Sequence, residues 1–504
     1  MKAFSLASAV LCAGLALADG PMLVSWQGNN RFFKGFAKDM TVEAVRFADT
    51  NGFDFVRLPI DGKTDFRPLL AAVGDRLGVW IEFNSYTTSL VKGVVAELES
   101  AGIGPNRVVL AAGERWMLEN LKSKYPEYRR VWPGRFDYDY AGCYWRIFCW
   151  YGGRGGGKAC KNAAEAASII SGFAKKYDLW GVQFSAADFM VEPEVIDRLH
   201  ADGVKVALTG VNDPVVGDYY RKAQADVFFT SSPHYTRGGV WPKSEPKKVK
   251  YIGHRGGEDY LAPQHSLAMA KLAAQKRLDI VKLDVHLTKD GEIITQHDHT
   301  MKSVFGVDLD IHTHTYAELS KYEAIPVNCI SNQHLATLRQ VLPILKNDIR
   351  EFWIDFKDYT PELAERIVKI FDEEGIDHSR IMVATFVQDA LAYMRDHHPE
   401  IRRVMHIATI IEPGRWRLTY RDATYDTPDG MIEEIANRQR RFKLFGVNMM
   451  GSFLRTDFET IAKLKKMGLW ISIYFPRDPV TADYYRRAGV DAFVVGSVRS
   501  CEKR

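Results

Sequence analysis

A chain of 504 residues, 46% of them hydrophobic and 26% charged, is long enough to bury more than one core. Its 67 basic and 63 acidic residues leave a formal charge of +4, a near balance that argues against a dedicated nucleic-acid binder. Past the first twenty residues no stretch is apolar enough to span a bilayer, so no transmembrane segment is expected in the mature chain.

The opening "MKAFSLASAVLCAGLALADG" has a basic start, an apolar run and an Ala-Leu-Ala ending. That order predicts a signal peptide over residues 1–18, cleaved after Ala18, and an exported protein, periplasmic or secreted. Export permits disulfides. Cys12 leaves with the signal, Cys143, Cys149 and Cys160 cluster, and Cys329 and Cys501 stand apart, so the remaining five cannot all pair internally. No paired C-x-x-C is present, which argues against zinc.

Eight short β-rich runs follow: "MLVSWQG", "DFVRLPI", "VWIEFN", "RVVLAA", "RRVWPG", "LWGVQFS", "KVALTG" and "DVFFTSS". After the Pro-, Gly- and Lys-rich stretch 236–250 come eight more: "YIGHRG", "IVKLDV", "FWIDFK", "IMVATF", "RRVMHI", "LFGVNMM", "LWISIYF" and "DAFVVGS". Amphipathic segments such as "PELAERIVKIFDEEG" separate them. Near-continuous apolar strands alternating with helices imply parallel sheets. The expected fold is therefore α/β, two tandem TIM-type (β/α)8 barrels over 19–235 and 251–504, joined by the linker 236–250.

The halves also match each other. "GVKVALTGVNDPVVGDYYRKAQADVFF" from Gly203 aligns without a gap on "GLWISIYFPRDPVTADYYRRAGVDAFV" from Gly468. "IEFNSYTTSL" matches "IDFKDYTPEL", and "YPEYRRV" matches "HPEIRRV", with equal intervals from Glu82 to Pro126 and from Asp355 to Pro399. A duplication is the expectation.

Two features of the first half stand outside this pattern. The aromatic-rich "FDYDYAGCYWRIFCWYGG" within 136–153 reads as an insertion packed over the barrel mouth rather than a sugar or lipid platform. "GGRGGGKA" from Gly152 nearly spells a P-loop, but Ala159 stands where a Mg²⁺-binding hydroxyl is needed, so a loop is expected.

In such barrels, reactive groups sit where strands end. The second half is polar there: His254, Arg255, Asp284, Asp355 and Lys357. The first half has Trp26-Gln27-Gly28, Arg57-Leu58-Pro59, Glu82 and Asn84 at the matching places, and is expected to be non-catalytic.

The string "GHRGGEDYLAPQHS…IVKLDVHLTKDGEIITQHDHT" resembles the glycerophosphodiester phosphodiesterase family, whose pattern is H-R-G, P-E-N-T, E-x-D-V-x-x-T-x-D-G and H-D. Weaker echoes ("WIDFKD", "VATF", "RDPVTADYYRRAGVDAFVVGSV") extend the resemblance over the second half. It implies cleavage of a small phosphodiester or lipid head group. His254 and His297 would be the proton-transfer pair, and Arg255, with Lys357, would neutralise phosphate charge. Lys357 would bind phosphate, and a divalent cation, Mg²⁺ or Ca²⁺, would sit on Asp284 and Asp355. Asp355 stands where most members have Glu, although the related sphingomyelinase D-type phospholipases resemble this chain there, with Asp and an x-Lys pattern. Gln264 and Tyr474 are expected at the pocket.

Two departures bear on that cation. Gln264 replaces the Glu of P-E-N-T, and Lys282 replaces the first carboxylate of E-x-D. Hard cations bind through oxygens, and an ammonium in their shell repels them. Either Lys282 takes the ion's place between Asp284 and Asp355 and binds the phosphate, as an arginine replaces calcium in bacterial phosphatidylinositol-specific phospholipases C, or the barrel is an inactive binding or scaffolding protein. A glycosidase is disfavoured, because both aspartates are expected beside a basic residue. His312 and His314 in "DIHTHTY" form an H-x-H without a nearby carboxylate, and solvated or hydrogen-bonded histidines are expected there rather than a metal. Tyr474 and Phe475 line the pocket or fill core.

Overall fold

The computed structural model describes residues 22–25, 41–63, 65–83, 87–139, 144–148, 158–186, 191–230, 239–259, 261–276, 278–407, 410–412, 415–418, 422, 424–451, 456–476 and 478–502. The leader expected over 1–18, Trp26–Gly28, Asn84, Cys143, Cys149 and most of the glycine-rich loop lie outside them. The chain forms two compact units that divide between Trp241 and Pro242. Among the described residues no helix is long and apolar enough to cross a membrane.

In the first unit eight parallel strands close into a barrel: β1 (Met22–Ser25), β2 (Phe55–Ile60), β3 (Gly78–Phe83), β4 (Val108–Ala112), β5 (Arg129–Pro133), β9 (Gly181–Ser185), β10 (Lys205–Thr209) and β11 (Val227–Thr230). Between β5 and β9 a separate antiparallel sheet of β6 (Arg135–Asp139), β7 (Tyr144–Phe148) and β8 (Lys158–Cys160) occupies the aromatic stretch and the end of the glycine-rich loop. Phe55, Trp80, Val109, Val131, Val227 and Phe229 pack together, and side chains two apart on a strand share a face.

The second unit curls a nine-stranded sheet from β12 (Lys250–Gly253), β13 (Ile280–Leu287), β14 (Ile293–Thr295), β15 (Glu351–Phe356), β16 (Ile381–Thr385), β17 (Arg402–Ile407), β20 (Gly446–Met450), β21 (Trp470–Tyr474) and β22 (Ala492–Val495). β12 pairs in parallel with both β22 and β13, while β14 folds back antiparallel on β13. A small hairpin of β18 (Ile410–Glu412) and β19 (Arg415–Arg417) follows β17.

Alternation along these strands divides the core in two. Val281, Leu283, Val285, Ile354 and Val383 point outward and pack with helix residues such as Leu342, Leu363 and Ile367. Ile280, Trp353, Met382, Val404 and Val494 form the opposite cluster. Further along that inner face the side chains turn polar: Lys282 and Asp284 on β13, Asp355 on β15, His406 on β17, Asn448 on β20 and Ser472 on β21, all buried. An apolar floor thus lies beneath a buried polar layer.

Several residues do the same structural work in both units. The buried guanidinium of Arg130 donates to the carbonyls of Tyr125, Pro126, Tyr128 and Asp178. Arg403 donates to those of His398, Pro399, Ile401, Phe442 and Lys443. Asp226 accepts the Val206 amide at 2.8 Å, and Asp491 that of Ile471 at 2.7 Å. Thr87 and Thr360 cap equivalent helices, as do Asp213 and Asp478, each cap contributing about 1 kcal/mol.

Candidate active site

The β13–β15 register sets Asp284 opposite Asp355, and Lys282 opposite Trp353. Lys282 bridges the two carboxylates, in contact with Asp284 Oδ1 and 2.7 Å from Asp355 Oδ2. Lys357, one step beyond β15, lies 2.9 Å from each of the same two oxygens. Two ammoniums and two carboxylates form a neutral square, almost sealed from water: Lys282 is 2% exposed, Asp284 0% and Asp355 3%.

Burial would raise the pKa of Asp284, but Lys282, Lys357 and the His265 hydrogen bond outweigh it and hold this carboxyl well below its usual range. Asp355 is depressed likewise, against burial, by Lys282, His406 and Lys357. Burial works against the charge of Lys357, yet Asp355 and Asp284 outweigh it and raise its pKa. Neither aspartate can serve as an acid near neutrality, which removes the paired-carboxylate glycosidase reading.

Nor does this donor set fit a hard divalent cation. Asp284 Oδ1 and Asp355 Oδ2, the oxygens that face each other, are occupied by both ammoniums, and His265 Nε2 takes Asp284 Oδ2 at 2.8 Å. Gln264 offers no substitute: its Oε1 accepts from Arg255 at 2.8 Å. Mg²⁺ or Ca²⁺, which the family resemblance implies and Lys282 and Gln264 weaken, would have to displace two ammoniums here.

His254 follows β12. Its Nδ1 faces both oxygens of Asp259, at 3.0 and 3.1 Å, so it carries the proton there. Nε2 is left as an acceptor and takes the phenol O–H of Tyr474 at 2.9 Å. Burial lowers the His254 pKa and Asp259 only partly offsets it. Burial also raises Tyr474 to about 12, so the phenol stays a donor. His297, on the turn after β14, sets Nδ1 2.7 Å from Asp298 Oδ1. Burial, then the Lys357 ammonium, push its pKa down to about 4.

A cavity of about 200 Å³ opens onto this cluster, with Lys282, His297, Asp355, Lys357, His406 and Tyr474 on its wall. His254, Arg255 and Gln264 are not on that wall; His254 reaches it through Tyr474. Phe475 stacks edge-on against His254 at 4.8 Å. Arg255, His265 and Phe475 hold left-handed backbone (φ 47°, 57° and 54°). Non-glycine residues in that region carry strain of about 1–3 kcal/mol each, and strain of this kind gathers at functional sites.

Sequence reasoning missed Asp259, His265, His406 and Asn448. Asp259 sits five residues after His254, and His265 stands at the Asn of P-E-N-T, so both carried a positional signal. His406 bonds Asn448 at 2.9 Å, which in turn accepts from Ser472 at 2.8 Å. His312 and His314 each hydrogen-bond a backbone carbonyl, and Asp358 brings a carboxylate that the sequence near them lacks to 2.9 Å from His312 Nε2.

The residues that carry this site lie in the part of the chain that is similar to known proteins. The glycerophosphoryl diester phosphodiesterase family model matches residues 254–499. A glycerophosphodiester phosphodiesterase of Caldanaerobacter subterraneus is 23% identical over 186 residues, 35% of this chain and 74% of that protein. Mouse lysophospholipase D GDPD3 is 27% identical over 110 residues, 22% of this chain and 31% of its own length. Among solved structures, an Oleispira antarctica phosphodiesterase in complex with the product sn-glycerol-3-phosphate is 18% identical, with a TM-score of 0.41, covering 50% of this chain and 94% of that one. Residues 254–499 of this chain are a domain of the glycerophosphoryl diester phosphodiesterase family.

Proposed function

We propose that the second unit hydrolyses a glycerophosphodiester or a related lipid-derived phosphodiester, using fixed ammoniums in place of a metal. The observation that carries this reading is the position of Lys282 and Lys357, both clamped by Asp284 and Asp355 on the wall of a cavity shared with His297 and Tyr474. Fixed positive charge stabilises the charge that develops on phosphoryl oxygens and costs no reorganisation during reaction. His297, neutral above pH about 4, takes the proton of the attacking water. The P–O bond to the departing alcohol breaks, and the Asp259–His254–Tyr474 line returns a proton to that oxygen. The phosphate's own charge favours protonation of His254 once substrate is bound. On this reading the first unit is a non-catalytic copy, and the leader at 1–18 exports the whole.

A second reading has its own observation. Arg57 pairs with Glu82 at 2.7 Å in the first unit, at the register of Lys282 and Asp355 in the second. A basic residue there serves structure without chemistry, as it would in a binding or scaffolding protein. One experiment separates the two. The purified protein is assayed on glycerophosphodiesters and lysophospholipids, chelated and then resupplied with Mg²⁺ or Ca²⁺, beside His254→Ala. Turnover that is lost in His254→Ala and not raised by either cation supports the proposal. Stimulation by either cation overturns the ammonium part. Absence of turnover on every substrate, with phosphate-ligand binding lost in Lys357→Ala, establishes the binding protein.

A further inference from the structure

Behind the catalytic wall, three side chains from separate segments converge: His286 from β13, His312 from the loop after Phe305, and Asp358 from the segment after β15. Their ligand atoms all lie within 4.8 Å of one another. His286 Nδ1 is 2.6 Å and His312 Nε2 2.9 Å from the same oxygen, Asp358 Oδ2. The opposite nitrogen of each ring faces a backbone carbonyl: His286 Nε2 that of His297 at 3.3 Å, and His312 Nδ1 that of Leu287 at 3.0 Å.

A carbonyl only accepts, so His312 carries its hydrogen on Nδ1, toward Leu287, and turns the lone pair of Nε2 toward a carboxylate oxygen that offers lone pairs too. His286 Nδ1 is hydrogen-bonded to that same oxygen at 2.6 Å, a proton whose place a cation would take. His312 Nε2, although close to the oxygen, is buried and makes no hydrogen bond. Three ligand atoms converging on one place, one of them a buried nitrogen without a hydrogen bond, suit a cation between them.

We propose that His286, His312 and Asp358 form a binding site for one divalent transition metal of the zinc class, separate from the Lys282–Asp284–Asp355 cluster. Two imidazoles and a carboxylate with an open fourth position are the ligand set such ions take. A ligand histidine that donates its other N–H to a carbonyl is the usual outer-shell arrangement, fixing tautomer and ring orientation. Bonds of 2.0–2.2 Å on a tetrahedral centre set ligand atoms about 3.3 Å apart, so the N···O distances of 2.6 and 2.9 Å must open by about 0.7 and 0.4 Å. His286 is buried, whereas His312 and Asp358 are 36% and 47% exposed, giving the ion an entry path and room for water. The ligands adjoin the reactive wall: Asp358 follows Lys357, and His286 holds the carbonyl of His297. The ion would fix the backbone that carries both.

The test is calorimetric titration of the chelator-treated full chain with Zn²⁺, beside His312→Ala and Asp358→Asn, with Co²⁺ as a spectroscopic stand-in. One ion per wild-type chain, the absorption of four-coordinate Co²⁺, and binding weakened at least about 100-fold in both variants are expected. Asp358→Asn preserves side-chain shape, and circular dichroism of both variants excludes unfolding as the cause. Uptake unchanged in both variants overturns the assignment, because the ion then sits elsewhere. No uptake by the wild type also overturns it, leaving a pair of imidazolium rings around one carboxylate.

Discussion

Replacing Lys282 by Met keeps the length of the side chain and removes its charge. Lys282, Asp284 and Asp355 are all nearly sealed from solvent, and removing one partner of a buried ion pair costs about 3–5 kcal/mol. Lys357 remains 2.9 Å from both carboxylates, so one cation still serves two anions; that places the expected loss near the lower bound, about 3 kcal/mol. For a unit of this size the melting temperature falls by about 2–4 °C per kcal/mol, or about 6–12 °C in all. The pH dependence gives a second readout. Both aspartates have depressed pKa values in the wild type, so the stability they contribute is present above about pH 3.9, the unfolded value, and lost as pH falls through the folded value. Without Lys282 their folded pKa values rise, the variant takes up protons earlier, and its deficit shrinks on acidification. Thermal unfolding between pH 7 and pH 4 measures both effects. A deficit under about 1 kcal/mol at pH 7, or one that grows toward pH 4, would refute the clamped-ammonium picture.

Three further outcomes are expected. Tyr474→Phe removes the hydroxyl that joins His254 to the cavity, and kcat on a glycerophosphodiester should fall about 10²–10⁴-fold with KM little changed. The acid limb of kcat/KM should lie near pH 4, the value to which burial and Lys357 push His297; NMR titration of its ring proton checks this, and Lys357→Met should move the value upward. Arg403→Met strands five carbonyls in the second unit and Arg130→Met four in the first, so each should lose roughly 3 kcal/mol or more of its own unit's stability in thermal unfolding.

The strands were legible because buried parallel strands are short apolar runs, and every parallel strand among the described residues overlaps a run marked by the sequence, some extending one or two residues beyond it. Polar residues alternating inside those runs, such as Lys282 and Asp284 in "IVKLDV", announced the inner layer. What pairs with them did not show. Asp259 meets His254 across a tight turn, and His406 lies 51 positions beyond the Asp355 it approaches at 3.3 Å (406 − 355). His312 meets Asp358 from a distant loop. Side-chain partnership of this kind depends on tertiary closure, which no local period encodes.

The two units together sharpen the question of what Lys282 is for. In the first, Pro59 faces Glu82, and Arg57 pairs with that glutamate; in the second, Asp284 faces Asp355, and two ammoniums lie between them. The basic residue on the second barrel strand is therefore common to both, while the second carboxylate and His297 are particular to the unit with the family match. If shared structure were the whole reason for Lys282, a guanidinium should serve equally well, as it does at Arg57. Lys282→Arg keeps the charge and adds bulk to a packed site, costing about 1–3 kcal/mol. Yet its planar fork spreads the charge and points it differently from a compact ammonium. With Lys282 stabilising phosphoryl charge, turnover should fall more than about tenfold, an activation cost of about 1.4 kcal/mol, in a variant that remains folded. Turnover unchanged in folded Lys282→Arg would assign the ammonium to structure and leave the chemistry to Lys357 and the histidines.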